Sequence, residues 1–394
     1  MKLFYLEARK GILRRPVWIA FILFLCLDIL KIGLDYRAGD IREVLGNTGG
    51  MQAGFAEIYD RVDGPITDET AGFLVSEYQR LSQTVADGTY SRKPQEGTYS
   101  GYIYGDYFLI SSYFYPQMSY CVQYSARMAE RLEQETDNLK FYQAVGNHFM
   151  AAKSSYILNH YADRSVSSFY LLDSWESLLK YDFSDLLILL LLILGVAASF
   201  TREKETGMTM LIASSKRGGW PVLASKCGTA VIYAAGLTVL FSLLNLMTYG
   251  ALFGFQGWDC PLYAMQAYQD TPFNGTVGQF YLLSCGMKAL GFSVLSLLLL
   301  LLSSCFRRTL YPCILGVVAG AAASCLSGWA VSPVWWKGVL SAVSPLTLTR
   351  AWDLWSCLCG DRLGSIYVPR VFIVIIIQLI FAVGILWAVR RKSC

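Results

Sequence analysis

The sequence lacks the short motifs that mark common catalytic sites. It contains no G-x-x-x-x-G-K-[ST] phosphate loop, no H-E-x-x-H zinc motif and no G-x-S-x-G nucleophile elbow. Only two histidines are present, His148 and His160, and the eleven cysteines show no metal-ligand spacing. Two histidines without an accompanying Cys or Glu pattern favour a structural role over a metal site. We therefore expect a chain that is not an enzyme and holds neither a cofactor nor a metal.

Charged residues are also scarce, at 16% of the chain, and are missing from long stretches. A helix needs roughly 20 mostly apolar residues to cross a bilayer. Backbone polar groups in lipid must be satisfied within each segment, so helices are the expected form. The sequence predicts an all-α integral membrane protein with six transmembrane helices, at residues 16–34, 183–200, 227–253, 281–304, 311–331 and 370–389.

The distribution of charge predicts the orientation of these spans. Lys plus Arg outnumber Asp plus Glu by five to one in residues 1–15 and by five to two in 201–226. Residues 35–182 instead carry twelve basic and twenty acidic residues. The positive-inside rule places both termini and the basic loops in the cytoplasm. Six spans also return the C-terminus to the side of the N-terminus, so count and charge agree.

The remaining segments follow from this topology. Residues 1–15 predict a basic amphipathic helix on the inner membrane surface. Residues 201–226 and 305–310 are cytoplasmic loops, and 390–394 form a tail. Residues 254–280 are an outer loop. Residues 332–369 contain four tryptophans, Trp335, Trp336, Trp352 and Trp355. Because tryptophan concentrates at the membrane boundary, this segment predicts short re-entrant or interfacial helices.

Residues 35–182 are long enough for an extracytoplasmic domain, and their pattern is mainly helical. Thr67 is a candidate N-cap and Gly88 a candidate C-cap for one helix. A dense group of tyrosines favours packing over an aromatic recognition surface: Tyr99, Tyr102, Tyr104, Tyr107, Tyr113, Tyr115, Tyr120 and Tyr124. Four cysteines lie outside the spans: Cys121, Cys260, Cys357 and Cys359. Two of them could form a disulfide, but the sequence does not determine which ones pair.

Asp28 and Lys31 interrupt the first apolar run and lie three residues apart, so they share a helix face and can pair. Such a pair either marks an intramembrane site or reaches toward the outer headgroups. The second interpretation is favoured. Asp185, the other carboxylate in a predicted span, also lies near an outer end. An ion-coupled transporter, which would need acidic residues at mid-membrane, therefore ranks last.

The stretch TREKETGMTMLIASSKRGGWPVLASK, residues 201–226, is far longer than a connector needs. Acidic residues open it, as the helix dipole favours, and methionines with Leu211 form a soft apolar patch. Lys216 and Arg217 follow in a turn-like stretch. We interpret the segment as a short helix that docks a cytoplasmic partner, or else one that lies passively on the headgroups.

This segment resembles the one between the second and third spans of ATP-binding-cassette permeases of type 2. The resemblance is carried by Glu203-Lys204-Glu205-Thr206-Gly207, then Leu211-Ile212, Ser214-Ser215-Lys216-Arg217 and Lys226. Ser344-Pro345-Leu346 and the order of basic helix, six spans and Trp-rich unit are also similar to that family. The outer domain between the first and second spans is larger than in its shortest members.

The resemblance implies the permease subunit of an ATP-driven exporter in a bacterial plasma membrane. The cargo would be amphipathic, lipid-like or a peptide, such as an antimicrobial. A second copy or a paralogue would complete a dimer surrounded by membrane lipid, with no nucleic acid partner. Separate ABC ATPase subunits would hold ATP and Mg²⁺ and contact the coupling residues Glu203, Lys204, Glu205, Gly207, Met208, Leu211, Lys216 and Arg217. The alternative is a membrane-anchored receptor or sensor whose outer helical domain binds a ligand or partner protein.

Overall fold

A computed structural model describes residues 2–12, 14–38, 49–88, 95–214, 219–332, 334–356, 358, 360–363 and 366–393. These ranges are mainly helical, with two short strand pairs. The chain begins with a short surface helix, α1 (Lys2–Gly11), and a first long apolar helix, α2 (Arg15–Ala38). Cys357, Cys359, Lys216 and Arg217 lie outside the described residues.

The domain between the first two spans is built from helices and closed by one short strand pair. Its elements are α3 (Gly49–Val62), β1 (Gly64–Pro65), α4 (Asp68–Ala86), α5 (Ile103–Leu109), a π-helical turn (Ile110–Phe114), α6 (Tyr115–Ala144), α7 (His148–Tyr161) and β2 (Ser168–Phe169). Strands β1 and β2 pair antiparallel and so join the start of the domain to its end. Thr67 caps α4 as predicted, its side chain accepting from the Thr70 amide. Gly88 follows the helix with a φ of +64°.

The rest of the chain forms the other spans and their connections. Its helices are α8 (Asp173–Lys180), α9 (Phe183–Val196), α10 (Thr201–Glu205), α11 (Met208–Ser214), α12 (Trp220–Phe253), α13 (Val277–Cys305), α14 (Leu310–Ser327), α15 (Trp335–Val343), α16 (Ala351–Ser356) and α17 (Arg370–Ser393). Three 3₁₀ turns (Leu262–Ala264, Gln266–Tyr268 and Pro345–Thr349) and the hairpin of β3 (Gly360–Leu363) with β4 (Ile366–Pro369) complete the fold.

Six helical stretches in the described ranges are long and apolar enough to cross a membrane, which confirms the predicted number of spans. They are α2, the segment Asp173–Glu205 centred on α9, α12, α13, α14 and α17. The third span was predicted to begin at residue 227. Helix α12 begins at Trp220 instead, because Pro221 in its first turn is pre-organised for a helix start. Lys226 is therefore part of the helix and not of a loop.

The domain and the spans share a continuous hydrophobic core near α13, rather than forming separate units. The Tyr120 hydroxyl donates to the Tyr263 carbonyl at 2.8 Å, and Tyr124 stacks on the Tyr263 ring at 5.2 Å. Tyr120 and Tyr124 are both buried, as the packing interpretation predicts, whereas Tyr104 is exposed. The end of the bundle that carries this domain is called the domain end below. The opposite end, with α1, α10 and α11, is called the basic end.

Two of the cysteines outside the spans are described, and both are buried free thiols. They are Cys121 and Cys260. Burial raises the pKa of Cys121 to about 12, so its thiol stays protonated at neutral pH. Cys121 is consequently a packing residue and not a reactive thiol.

The Trp-rich segment inserts a turn into the bundle. All five residues of the turn Pro345–Thr349 are buried. Non-helical backbone at membrane depth is tolerated where protein surrounds it. Ser344 Oγ donates to the Ala323 carbonyl of α14 at 2.7 Å, and Gln378 Nε2 of α17 donates to the Ala342 carbonyl at 2.7 Å. The turn thus joins the fifth and sixth spans.

Substitution Gly291→Ala is expected to destabilise the protein, because α13 approaches this turn through Gly291. A Cβ atom there would lie 2.6 Å from the Pro345 carbonyl oxygen. Overpacking of this kind typically costs about 1–3 kcal/mol. Thermal unfolding in detergent measures the effect, and Gly286→Ala on the same helix, with no neighbouring atom within 4 Å, is the control. Equal melting temperatures for the two variants would contradict this packing.

Candidate functional site

The predicted coupling segment is divided by a glycine into two short helices at the basic end. Helix α10 continues the second span, and α11 follows after Gly207. The φ of Gly207 is +70°, a conformation that glycine adopts without steric cost. Gly207 therefore sets the direction of α11. The side chains of Met208 and Leu211 on α11 are 46% and 69% exposed.

Three of the four charged residues of α10, the triplet Glu203, Lys204 and Glu205, form hydrogen bonds to the protein's own helices or their ends. Glu203 accepts from Lys226 Nζ of α12 at 2.8 Å. Lys204 Nζ donates to the Ser304 and Phe306 carbonyls at the end of α13, and Glu205 accepts from the Thr309 amide, just before α14, at 2.7 Å. A cation at a helix C-terminus and an anion at an N-terminus are both favourable.

Each of Glu203, Lys204 and Glu205 has a complementary group of this chain within hydrogen-bonding distance, and Glu205 is exposed as well. Their contact with an ATPase subunit stays a prediction. The sequence motif places the three charges together but does not say which neighbour each one reaches. The triplet fastens α10 to α12, α13 and the start of α14.

Lys226 is the centre of a buried ionic group that we call the lysine cluster, made of Glu7, Lys10, Glu203 and Lys226. The Lys226 side chain is 1% exposed, and its Nζ lies 2.9 Å from Glu7 Oε2 and 2.8 Å from Glu203 Oε1. Lys10 Nζ lies 3.5 Å from Glu7 and 3.7 Å from Glu203. Two ammonium groups thus balance two carboxylates, and the cluster joins α1, α10 and α12.

The predicted pair of Asp28 with Lys31 is wrong. Lys31 is half exposed and forms its ion pair with Asp35, one turn further along α2. Asp28 is fully buried and accepts from the Tyr181 hydroxyl at 2.8 Å. Residues three apart on a helix diverge by about 60° around its axis. That divergence directs Asp28 into the bundle and leaves Lys31 on its surface.

Asp28 belongs to a polar network near the domain end that links four spans. Lys288 Nζ of α13 lies 3.1 Å from Asp185 Oδ1 of α9 and 3.3 Å from the Tyr181 carbonyl. With its amide oriented to satisfy its neighbours, Asn245 of α12 donates to Asp28 Oδ2 at 2.6 Å and accepts from Ser184 Oγ at 3.1 Å. We call Asp28, Tyr181, Ser184, Asp185, Asn245 and Lys288 the intramembrane network.

Sequence reasoning missed most of this network because each member is a single polar residue beside a long apolar run. The signal that could have found it is Lys288, a lone cation inside the fourth predicted span. Ionisable residues at such positions are functional-site hypotheses by default, because their burial is costly. Its partner Asp185 was identified, but no local spacing connects the two.

Neither cluster is built like a metal or cofactor site. In the part of the chain that the structure describes, no three His, Cys, Asp or Glu side chains are grouped to hold a metal ion. At each end of the bundle the charged side chains are instead paired within their own cluster, and these pairs hold helices together. Compared with known proteins, the chain has no match among protein-family models, curated proteins or solved structures.

Proposed function

We propose that this chain is the membrane-spanning subunit of an ATP-driven exporter and that α11 docks a separate ATPase subunit. The observation that carries the proposal is the attachment of α11. Its apolar side chains Met208 and Leu211 are exposed, while the preceding triplet is fastened to three spans. A displacement of α11 would therefore be transmitted to these spans and would not be absorbed by a flexible loop. Methionine suits such a contact because its flexible side chain adapts to a partner.

In this proposal the basic end faces the cytoplasm of a bacterial cell, in accord with the positive-inside rule. Both termini then lie inside, and the helical domain lies outside the plasma membrane. A second copy or a paralogue completes the translocation path, and ATP with Mg²⁺ binds to the ATPase subunits. The spans carry few charges, which suits an amphipathic, lipid-like or peptide cargo better than an ion.

The test is co-purification of the tagged chain from its native host, followed by measurement of ATP hydrolysis. We expect an ATPase subunit to accompany the wild-type chain and Met208→Ser/Leu211→Ser to reduce its recovery at least tenfold. Loss of a central apolar contact in an interface costs about 2 kcal/mol. Because both side chains are exposed, the melting temperature of the variant should match that of the wild type.

The control is Phe141→Ser/Val145→Ser, which removes a similarly exposed apolar pair, 61% and 65% exposed, from the domain. Recovery of the ATPase with this variant should equal that of the wild type. A wild-type chain that purifies without ATPase activity would contradict the proposal and favour the receptor alternative. Equal losses in both variants would show that α11 is not the docking element.

A further inference from the structure

A cavity of about 220 Å³ opens at the basic end between α1 and the last turns of the second span. One wall is apolar and is formed by Leu194, Gly195 and Ala198. The lining also carries basic groups from both elements: Lys10, Arg14 and Arg202. A defect in an apolar core would not combine apolar and basic side chains in this way.

The charges that line the cavity are unbalanced. Its two carboxylates, Glu7 and Glu203, already share the buried Lys226 behind the cavity wall and also lie within 3.7 Å of Lys10. Among the residues that the structure describes, Arg14 and Arg202 have no carboxylate within 4.0 Å. Within the described ranges, neither guanidinium group therefore forms a close ion pair, and Arg202 acts on Glu205 only at longer range.

The position of the cavity relates it to the membrane surface. Leu194 belongs to the apolar run of α9, which is long and apolar enough to span a membrane, and its side chain is 49% exposed. Helix α1 exposes Tyr5 and Leu6 as well as the basic residues Arg9 and Lys10, as helices at a membrane surface do. The cavity consequently opens where hydrocarbon gives way to headgroups. Guanidinium groups bind phosphate through two parallel hydrogen bonds, which makes arginine the usual choice for this anion.

We propose that this cavity binds the phosphate of an anionic membrane phospholipid. Arg14 and Arg202 hold the phosphate, and Leu194 lies along the first part of an acyl chain. Drug-sized ligands need pockets of about 300–1,000 Å³, so the cavity is sized for a headgroup whose tails remain in the bilayer. The bound lipid would bridge α1 to the second span beside the lysine cluster. This proposal does not depend on the ATPase partner.

The experiment measures lipid binding to the delipidated, detergent-solubilised full chain by native mass spectrometry and by thermal unfolding. The probes are phosphatidylglycerol, phosphatidylcholine and inorganic phosphate at one ionic strength. We expect phosphatidylglycerol to remain bound and to raise the melting temperature, with little effect of the other two. Arg14→Gln/Arg202→Gln should weaken phosphatidylglycerol binding at least tenfold. Arg307→Gln/Arg308→Gln, with the same loss of charge at the same end of the bundle, should bind like the wild type.

Three results would overturn the proposal. Equal binding of phosphatidylcholine would show that no anionic headgroup is recognised. Equal stabilisation by inorganic phosphate would identify a soluble-anion site instead of a lipid site. Equal weakening in both arginine variants would show that only the net charge of the basic end matters. Arg202→Gln alone, at an exposed position, provides a variant that should fold normally if the double variant does not.

Discussion

Lys226→Met is expected to destabilise the solubilised protein by about 3–5 kcal/mol, the usual cost of removing one partner from a buried ion pair. The side chains of Glu7 and Glu203 are 9% and 13% exposed and both bind Lys226 Nζ. Without that ammonium group, two poorly hydrated carboxylates keep only Lys10, at 3.5 and 3.7 Å. Chemical denaturation in detergent measures the difference in the free energy of unfolding.

The control for this prediction is Lys180→Met, which also removes a lysine from an ion pair with a glutamate. The pair of Lys180 with Glu176 is 42% and 31% exposed, so its loss should cost less than about 1 kcal/mol. A triple variant, Glu7→Gln/Glu203→Gln/Lys226→Met, should recover much of the lost stability, because the charge it leaves unpaired, on Lys10, is 49% exposed and stays hydrated. If Lys226→Met unfolds at the same denaturant concentration as the wild type, the cluster is not a stabilising element.

The spans were predictable because hydrophobicity over about 20 residues is a local property of the sequence. The cap of α4 at Thr67 was predictable for the same reason, since its partner is three residues away. Pro221 was a local signal for the early start of α12, but the polar residues before it suggested a loop. Local signals therefore identified the elements, but several helix ends differ from the predicted span bounds, among them the starts of α12 and α13 and the end of α14.

The partners of the charged residues were not predictable, because they depend on how distant elements pack. Asp28 and Tyr181 are 153 residues apart in sequence, and Lys204 reaches a carbonyl about 100 residues away. The sequence offered Lys31 as a nearby partner for Asp28, and an ATPase subunit as the partner of Glu203. The contacts of Asp28 with Tyr181 and of Glu203 with Lys226 became visible only in the fold.

Lys288→Met is expected to destabilise the protein by a similar amount, about 3–5 kcal/mol. Without this ammonium group Asp185 loses its ion pair. The intramembrane network then contains two carboxylates, those of Asp185 and of the fully buried Asp28, and no lysine. Lys31→Met is the matched control, since it removes a lysine from an ion pair with an aspartate at the exposed surface of the first span. A loss in the control equal to that in Lys288→Met would mean that burial of the pair is not the cause.

The double variant Asp185→Asn/Lys288→Met separates the pair from its surroundings, because replacing both charges leaves neither one unpaired. We expect it to unfold with a free energy within about 1.5 kcal/mol of the wild type, and the difference from the single variants gives the coupling energy. A double variant as unstable as Lys288→Met would show that the side chains matter for packing and not as a charge pair.

The contacts Glu203–Lys226 and Ser184–Asn245 join the second and third spans at both ends. A displacement at α11 should therefore move these two spans as one body, with the intramembrane network holding them to the first and fourth.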